Sequence, residues 1–165
     1  MKKTSFSRRQ FIIGSGAVLA ASQIITSQTT SAQTECVFCN IVSGKLAAPK
    51  IWEDKDFYAF LDHKPINPGH TLLIPKKHAE YIFDLEEPLY GRIFKSAKKL
   101  ANPLRDAMQS QRIGVLVEGF GVAHLHIHLV PINKGDGFGK RSGVTGVTDE
   151  EFKAVAEKIR AAIGK

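Results

Sequence analysis

Residues 123–131 read Ala123-His124-Leu125-His126-Ile127-His128-Leu129-Val130-Pro131. Half of the six histidines of the chain lie in this stretch, and an apolar residue separates each of them from the next. Such strict alternation predicts a half-buried β-strand that ends at Pro131, with the three imidazoles on one face and Leu125 and Ile127 on the other. Imidazole can donate or accept a proton, attack an electrophile or bind a metal near neutral pH. We therefore expect the functional site on the histidine face.

The first 32 residues resemble an export signal. They begin with basic residues, continue with a short apolar segment and end in small residues that predict cleavage after Ala32. Residues 7–12 include the pair Arg8-Arg9 and resemble a twin-arginine (Tat) signal. A stable membrane anchor needs about 20 apolar residues, so we expect a cleaved signal and no anchor. The protein is then exported from a bacterial-type cell to the periplasm or the exterior.

The net charge of the chain is lower once the export signal is removed. The 165 residues have a formal charge of +7, which by itself suits a nucleic-acid-binding protein. Residues 1–32 contain four basic residues and no acidic residue, so their removal lowers the charge to +3. We therefore expect no nucleic-acid partner. Residues 33–165 are long enough for one domain with a hydrophobic core.

The pattern of the mature chain predicts an α+β fold. The expected strands lie at residues 51–53, 57–61, 71–74 and 113–118, followed by the histidine strand. A mid-chain helix is expected from Pro88 to about Ala101, with Pro103 breaking or kinking it. Thr148 and Glu151 form a capping-box pattern that predicts a C-terminal helix over residues 148–163.

A glycine-rich loop is expected over residues 136–147. It contains four of the glycines of the chain together with basic side chains. A phosphate-binding loop is one interpretation of this composition. A surface loop is the other, and it is favoured because no helix follows at the spacing of a Walker-type phosphate loop.

Several segments together resemble the histidine triad (HIT) superfamily. The alternating histidines match its signature, and three upstream segments match in the expected order, at residues 36–42, 59–62 and 69–78. The resemblance implies a HIT-like fold with an antiparallel sheet of about five strands, a mid-chain helix and a C-terminal helix. It also implies a homodimer.

The resemblance implies a reaction at the α-phosphorus of nucleotide substrates such as phosphoramidates and dinucleoside polyphosphates. His126 would attack the phosphorus to form a nucleotidyl-histidine, which water or another acceptor then releases. His128 would donate to the phosphoryl oxygens, and His70 would support the nucleophile. The implied catalytic set is His126, His128, His70 and His124. The implied nucleotide-binding residues are Asp62, for the ribose hydroxyls, and Phe38, Ile41 and Phe60, for the base.

A metal site is a separate expectation. Cys36 and Cys39 alone could form a disulfide or a redox pair in an exported protein. Zinc prefers four sulfur and nitrogen ligands in a tetrahedron. Zinc-containing HIT proteins combine two such cysteines with the residues that match His78 and His124 here. The resemblance therefore implies structural zinc held by Cys36, Cys39, His78 and His124.

One stretch departs from the family pattern. Many HIT hydrolases carry a longer loop with Gly-Gln-Ser before the triad, whereas residues 118–123 here contain neither Gln nor Ser and resemble a short-loop branch. The family pattern therefore does not assign the residues that contact the leaving group. Two alternatives remain beside the hydrolase or nucleotidyl transferase: a zinc-stabilised nucleotide- or partner-binding protein with little turnover, and a metalloenzyme whose three histidines bind a catalytic metal.

Overall fold

The computed structural model describes residues 36–136 and 146–164. The predicted export signal and most of the predicted glycine-rich loop lie outside these residues. The described helices are α1 (Val37–Val42), α2 (Leu89–Met108) and α3 (Asp149–Ile163), with a short 3-10 helix at Ile82–Asp84. The strands are β1 (Lys50–Glu53), β2 (Phe57–Leu61), β3 (Thr71–Pro75), β4 (Arg112–Val117) and β5 (Ile127–Ile132).

The five strands form one antiparallel sheet in the order β1-β2-β3-β5-β4. The histidine-bearing strand β5 is thus the last in sequence but lies between two earlier strands. His128 is opposite Leu72 of β3 and Leu116 of β4. With α2 in mid-chain and α3 at the C-terminus, this arrangement confirms the predicted α+β fold class.

Both faces of the sheet are covered, and each carries its own apolar cluster. The larger cluster joins one face to α2 and α3 and includes Leu73, Ile93, Leu100, Ile127 and Ile159. The second cluster lies on the other face, where α1 packs. Its buried members are Phe38, Ile41, Phe60, Leu72 and Ile74. This second cluster is the side that bears the histidines.

The histidine segment is not one regular strand. β5 begins only at Ile127 and runs through Pro131 to Ile132, whereas a strand over the whole alternating run and an end at Pro131 were expected. The backbone before β5 bonds outside the sheet ladder: Leu125 N–H donates to the Ala79 carbonyl over 2.6 Å. Every residue from 124 to 131 is buried, so the segment is not half-buried either. Covering of both sheet faces accounts for this burial.

The expected break at Pro103 is also wrong, because α2 continues through Pro103 to Met108. Proline removes one backbone hydrogen bond and costs a helix about 3 kcal/mol. The turns after Pro103 bury Leu104 and Ala107 in the larger cluster. Full burial of a leucine side chain contributes about 1.5–3 kcal/mol, which offsets the loss.

The capping box of α3 forms as predicted. The Thr148 hydroxyl accepts from the Glu151 N–H, and the Glu151 carboxylate accepts from the Thr148 N–H over 2.8 Å. These bonds satisfy two donors that would otherwise be unpaired at the helix start. Across residues 36–136 and 146–164, no helix has the length and apolar character needed to cross a membrane.

Candidate active site and metal centre

His126 lies at the centre of the candidate site, just before β5. Its side chain is 5% exposed, and its ring contacts those of Phe38 and His128 at centroid separations of 5.3 and 4.8 Å. His126 Nδ1 lies 2.7 Å from the His124 carbonyl oxygen. A carbonyl can only accept, so Nδ1 carries the proton and donates it. The lone pair of a neutral His126 is therefore on Nε2, which makes this nitrogen the candidate nucleophile.

The tautomers of His70 and His128 follow from another backbone group. The Ile66 N–H donates to His70 Nδ1 over 3.1 Å, which leaves the His70 proton on Nε2. His70 Nε2 is 2.9 Å from His128 Nδ1 and donates to it. A neutral His128 consequently carries its own proton on Nε2, where it can act as a donor. His70 thus bonds directly to His128, although we expected it to support His126.

His70 is held neutral by its surroundings. Its side chain is 1% exposed. Burial first, and then the charges of His128 and His126, lower the pKa of His70 to about 3. A neutral His70 can keep Nδ1 as an acceptor and Nε2 as a donor at the same time, which a protonated ring cannot. The two hydrogen bonds that link the Ile66 N–H through His70 to His128 therefore persist across the physiological pH range.

Asp62 lies at the end of β2 beside His70. Its Oδ1 accepts the Lys64 N–H over 2.9 Å, and its Oδ2 is 3.4 Å from His70 Nδ1. Burial raises the pKa of the Asp62 carboxyl. Asp62 and His70 also line a cavity of about 410 Å³ between the β2–β3 connection and the start of α3. The described residues that line this cavity do not include His126 or Phe38. His63 Nδ1 lies 3.6 Å from Asp62 Oδ1, although 83% of the His63 side chain is exposed.

The predicted base-binding residues lie in one buried cluster, and Phe38 of this cluster contacts His126. Phe38, Ile41 and Phe60 are all buried in the second cluster. Phe38 contacts Phe60 edge-on, with ring centroids 5.4 Å apart. This apolar cluster borders the nucleophile through Phe38, and apolar surroundings suit an aromatic base.

The four predicted metal ligands converge at the other end of the histidine segment. The ligand atoms of Cys36, Cys39, His78 and His124 lie within 4.8 Å of one another. His124 Nδ1 is 3.3 Å from Cys36 Sγ and 3.5 Å from Cys39 Sγ. His78 Nδ1 is 3.4 Å from Cys39 Sγ. A tetrahedral zinc ion separates sulfur and nitrogen ligands by about 3.5 Å, so both the donor types and the spacing fit zinc.

The protonation of His124 also suits a metal ligand. His124 Nε2 donates to the Pro75 carbonyl over 2.9 Å, which leaves a lone pair on Nδ1 facing the sulfurs. Burial lowers the pKa of His124 to about 4, so the ring is neutral. Burial and the neighbouring Cys36 raise the pKa of the Cys39 thiol to about 11. A bound cation opposes that shift, because it stabilises the thiolate.

A second group of candidate ligand atoms consists of Asp62, His70 and His128. Both ring nitrogens of His70 are already engaged, by the Ile66 N–H and by His128. The group is therefore better described as a hydrogen-bonded chain. His126 belongs to neither of the two metal-capable groups among the described residues, which removes support from a catalytic metal shared by all three triad histidines.

The sequence did not reveal the backbone groups that set these tautomers. The Ile66 N–H and the carbonyls of Pro75 and His124 act through main-chain atoms, which carry no residue signature. No pattern of residues in the sequence could therefore have identified them.

The family of the protein follows from direct comparison. A model described as the HIT domain matches residues 43–135. An uncharacterized HIT-like protein from Borreliella burgdorferi is 35% identical over 133 residues, which cover 76% of this chain and 96% of the relative. Protein hit from Bacillus subtilis is 36% identical over 110 residues, or 63% of this chain and 76% of the relative. The chain belongs to the HIT family.

Solved structures agree with this assignment. A zinc-bound histidine triad family protein from Mycobacterium smegmatis superposes with a TM-score of 0.68 at 30% identity, covering 80% of this chain and 95% of that one. A hypothetical histidine triad nucleotide-binding protein from Sulfolobus tokodaii gives a TM-score of 0.70 at 29% identity, covering 78% and 92%. The HIT-like fold expected from the sequence is therefore confirmed.

Proposed function

We propose that the protein is a HIT-type nucleotide hydrolase or nucleotidyl transferase that cleaves at the α-phosphorus through a covalent intermediate on His126. The observation that carries this proposal is the 2.7 Å hydrogen bond from His126 Nδ1 to the His124 carbonyl. It leaves Nε2 unprotonated without any separate base, and a neutral imidazole is a nucleophile in that state.

The reaction has two steps. His126 Nε2 attacks the α-phosphorus, a nitrogen–phosphorus bond forms, and the leaving group departs with its bonding electrons and takes up a proton. Water then attacks the phosphorus and loses a proton, and the nitrogen–phosphorus bond breaks to restore neutral His126. His128 donates from Nε2 to the phosphoryl oxygens, whose negative charge grows in both transition states.

The remaining residues bind the nucleoside. Phe38, Ile41 and Phe60 contact the base, and Asp62 accepts hydrogen bonds from the ribose hydroxyls. Burial in the second cluster supports the apolar role of the first three. The Asp62 carboxylate, whose Oδ2 is 3.4 Å from His70 Nδ1, supports the polar role.

The metal centre completes the proposal. Zinc bound by Cys36, Cys39, His78 and His124 would hold the start of the domain to the segment before β5. Four such ligands leave no open coordination position, so zinc here supplies structural stability. The zinc-bound relative and the convergence of the four ligand atoms support this assignment.

The experiment compares the mature protein with His126→Ala on adenosine phosphoramidate and diadenosine tetraphosphate. AMP release is expected from the wild type and at least a hundredfold less from His126→Ala, because the nucleophile is lost. His63→Ala is the matched control, since 83% of that side chain is exposed and its contact is with Asp62, not with His126. Equal AMP release by wild type and His126→Ala would exclude covalent catalysis at this residue.

The second candidate function is a zinc-stabilised nucleotide- or partner-binding protein with little turnover. Residues 118–123 favour it, because this short connection lacks the Gln and Ser that assist the leaving group in many HIT hydrolases. Micromolar AMP binding by calorimetry, together with no AMP release from either substrate, would support this function over the first.

Assembly and location are further parts of the proposal. β4 lies at an edge of the sheet, and its Val115 is 51% exposed, so a second copy could pair there and extend the sheet. Light scattering of the mature protein tests the expected homodimer. Export by the Tat route is tested by cell fractionation of the full chain and of the Arg8→Lys, Arg9→Lys double variant, which should remain in the cytoplasm.

A further inference from the structure

We propose that the metal centre positions the nucleophile, so that metal occupancy controls the orientation and tautomer of His126. Two separate links connect the centre to His126, one through the backbone of His124 and one through the side chain of Phe38. The inference rests on the proposed covalent role of His126, and it goes beyond a purely stabilising role for zinc.

The first link is the His124 residue itself. Its ring is fixed on one side by the Pro75 carbonyl and faces Cys36 and Cys39 on the other. The carbonyl of the same residue accepts the His126 Nδ1 proton over 2.7 Å. A metal on His124 Nδ1 would restrain the ring and, through it, the residue whose carbonyl sets the His126 tautomer. Outer-shell hydrogen bonds of this kind orient the groups they contact.

The second link is Phe38, which lies between the two cysteines in sequence. α1 has six residues, and its N-cap Cys36 makes no side-chain capping bond. Isolated helices this short are unstable in water, so anchoring must come from tertiary contacts. Burial of Phe38 and Ile41 supplies part of it, and metal bonds to Cys36 and Cys39 would add to it. The anchored turn then holds the Phe38 ring in contact with the rings of His124 and His126, at centroid separations of 5.7 and 5.3 Å.

His78 offers a way to change the metal without touching the nucleophile. Among the described residues its polar and ring contacts are to Cys39, His124 and Glu80. Replacing His78 therefore alters metal affinity while leaving the direct contacts of His126 in place. His78→Ala removes one ligand, whereas His78→Cys gives a Cys₃His set that still suits structural zinc.

The experiment uses mature protein labelled with ¹⁵N-histidine. Nuclear magnetic resonance reports the tautomer of His126, metal analysis reports zinc content, and calorimetry reports AMP affinity. Zinc-loaded wild type should show His126 protonated on Nδ1 alone. His78→Ala, and wild type treated with a chelator, should show averaging between the two tautomers. AMP affinity should fall about tenfold, as for loss of outer-shell positioning groups.

His78→Cys should restore the zinc, the single tautomer and the affinity. Adding zinc back to chelated wild type gives the same comparison if His78→Ala does not fold. An unchanged His126 spectrum and AMP affinity after zinc removal would overturn the inference, as would purified protein that binds no zinc. A zinc-dependent His126 spectrum in a protein that cleaves neither substrate would instead refute the proposed reaction and leave the positional link standing.

Discussion

His70 and His128 share a buried hydrogen bond of 2.9 Å between Nε2 of the first and Nδ1 of the second. The Ile66 N–H fixes the direction of this bond, because it occupies the other nitrogen of His70. His70 therefore acts through His128, the donor to the phosphoryl oxygens, and is a positioning residue in the proposed reaction.

Loss of His70 should slow the chemical step more than it weakens binding. His70→Ala leaves His128 Nδ1 without its donor, and an unmade buried hydrogen bond costs about 1–3 kcal/mol. The expected result is a fall in kcat of about 10- to 100-fold with little change in KM. His70→Gln, whose amide can still donate, should recover part of the rate. A rise in KM at constant kcat would contradict this role.

Stability should depend on pH through the same residue. The unfolded chain protonates His70 near pH 6.5, whereas the folded protein resists protonation until about pH 3. The unfolded state therefore binds more protons in this range, and the free energy of unfolding should fall as the pH falls from 6.5 towards 3. One such group contributes up to about 1.4 kcal/mol per pH unit.

Urea denaturation at several pH values checks this dependence in wild type and in His70→Gln. The variant lacks the titrating ring, so its unfolding free energy should change less steeply over the same range. Parallel curves for the two proteins would show that other groups account for the acid sensitivity.

Asp62 should determine the preference for ribonucleotides. A site built to bond a hydroxyl rejects a ligand that lacks it, because the buried partner stays unpaired. We expect AMP to bind wild type at least about tenfold more tightly than 2′-deoxy-AMP. Asp62→Ala, which removes the acceptor, should reduce that ratio to near one. Calorimetry with both nucleotides measures it, and an unchanged ratio would place the ribose elsewhere.

Phe120 should distinguish large leaving groups from small ones. It stands in the short connection before the triad and is 96% exposed, two residues from Val122, which packs against the second cluster. Aromatic stacking is worth about 0.5–1.5 kcal/mol. Phe120→Ala should therefore lower kcat/KM for diadenosine tetraphosphate up to about tenfold and leave adenosine phosphoramidate unaffected. Phe94→Ala, an exposed phenylalanine on α2, is the control.

Replacement of Pro103 by alanine should stabilise the folded protein. Because α2 is continuous there, Pro103→Ala restores a backbone hydrogen bond without altering the fold. The gain is expected at about 1–2 kcal/mol, less than the full cost of proline, since alanine also frees the unfolded chain. Thermal and urea denaturation measure it. A loss of stability would mean that the proline ring makes a packing contribution that alanine cannot replace.

The sequence predicted most of the fold because periodicity and turn residues are local signals. β2, the capping box at Thr148 and the order of strands and helices follow from such signals. The continuation of α2 past Pro103 could not be predicted this way, since it depends on the burial of Leu104 and Ala107 against the sheet. Tertiary packing there outweighs a local preference.

The same distinction between sequence signals and three-dimensional contacts applies to the candidate site. Side chains such as His78 and Cys39 could be picked out because their types and order match a family pattern, and the fold brings them together. The hydrogen bond between His70 and His128 could not be predicted from the sequence, since it depends on the register that places Leu72 opposite His128. The tautomers depend on backbone groups of Ile66 and Pro75, which are visible only in three dimensions.

The position of β5 has a consequence for how the molecule matures. This strand is the last to be synthesised, yet it must enter between β3 and β4. Cys36 and His124, which meet at the metal centre, are 88 residues apart in the chain. Pairings across such distances form late, because the intervening chain must first be ordered. A chain cut short before His124 would lack a ligand of the metal centre, the proposed nucleophile His126 and the phosphoryl donor His128. Catalytic activity would therefore itself mark a molecule whose last strand has been added.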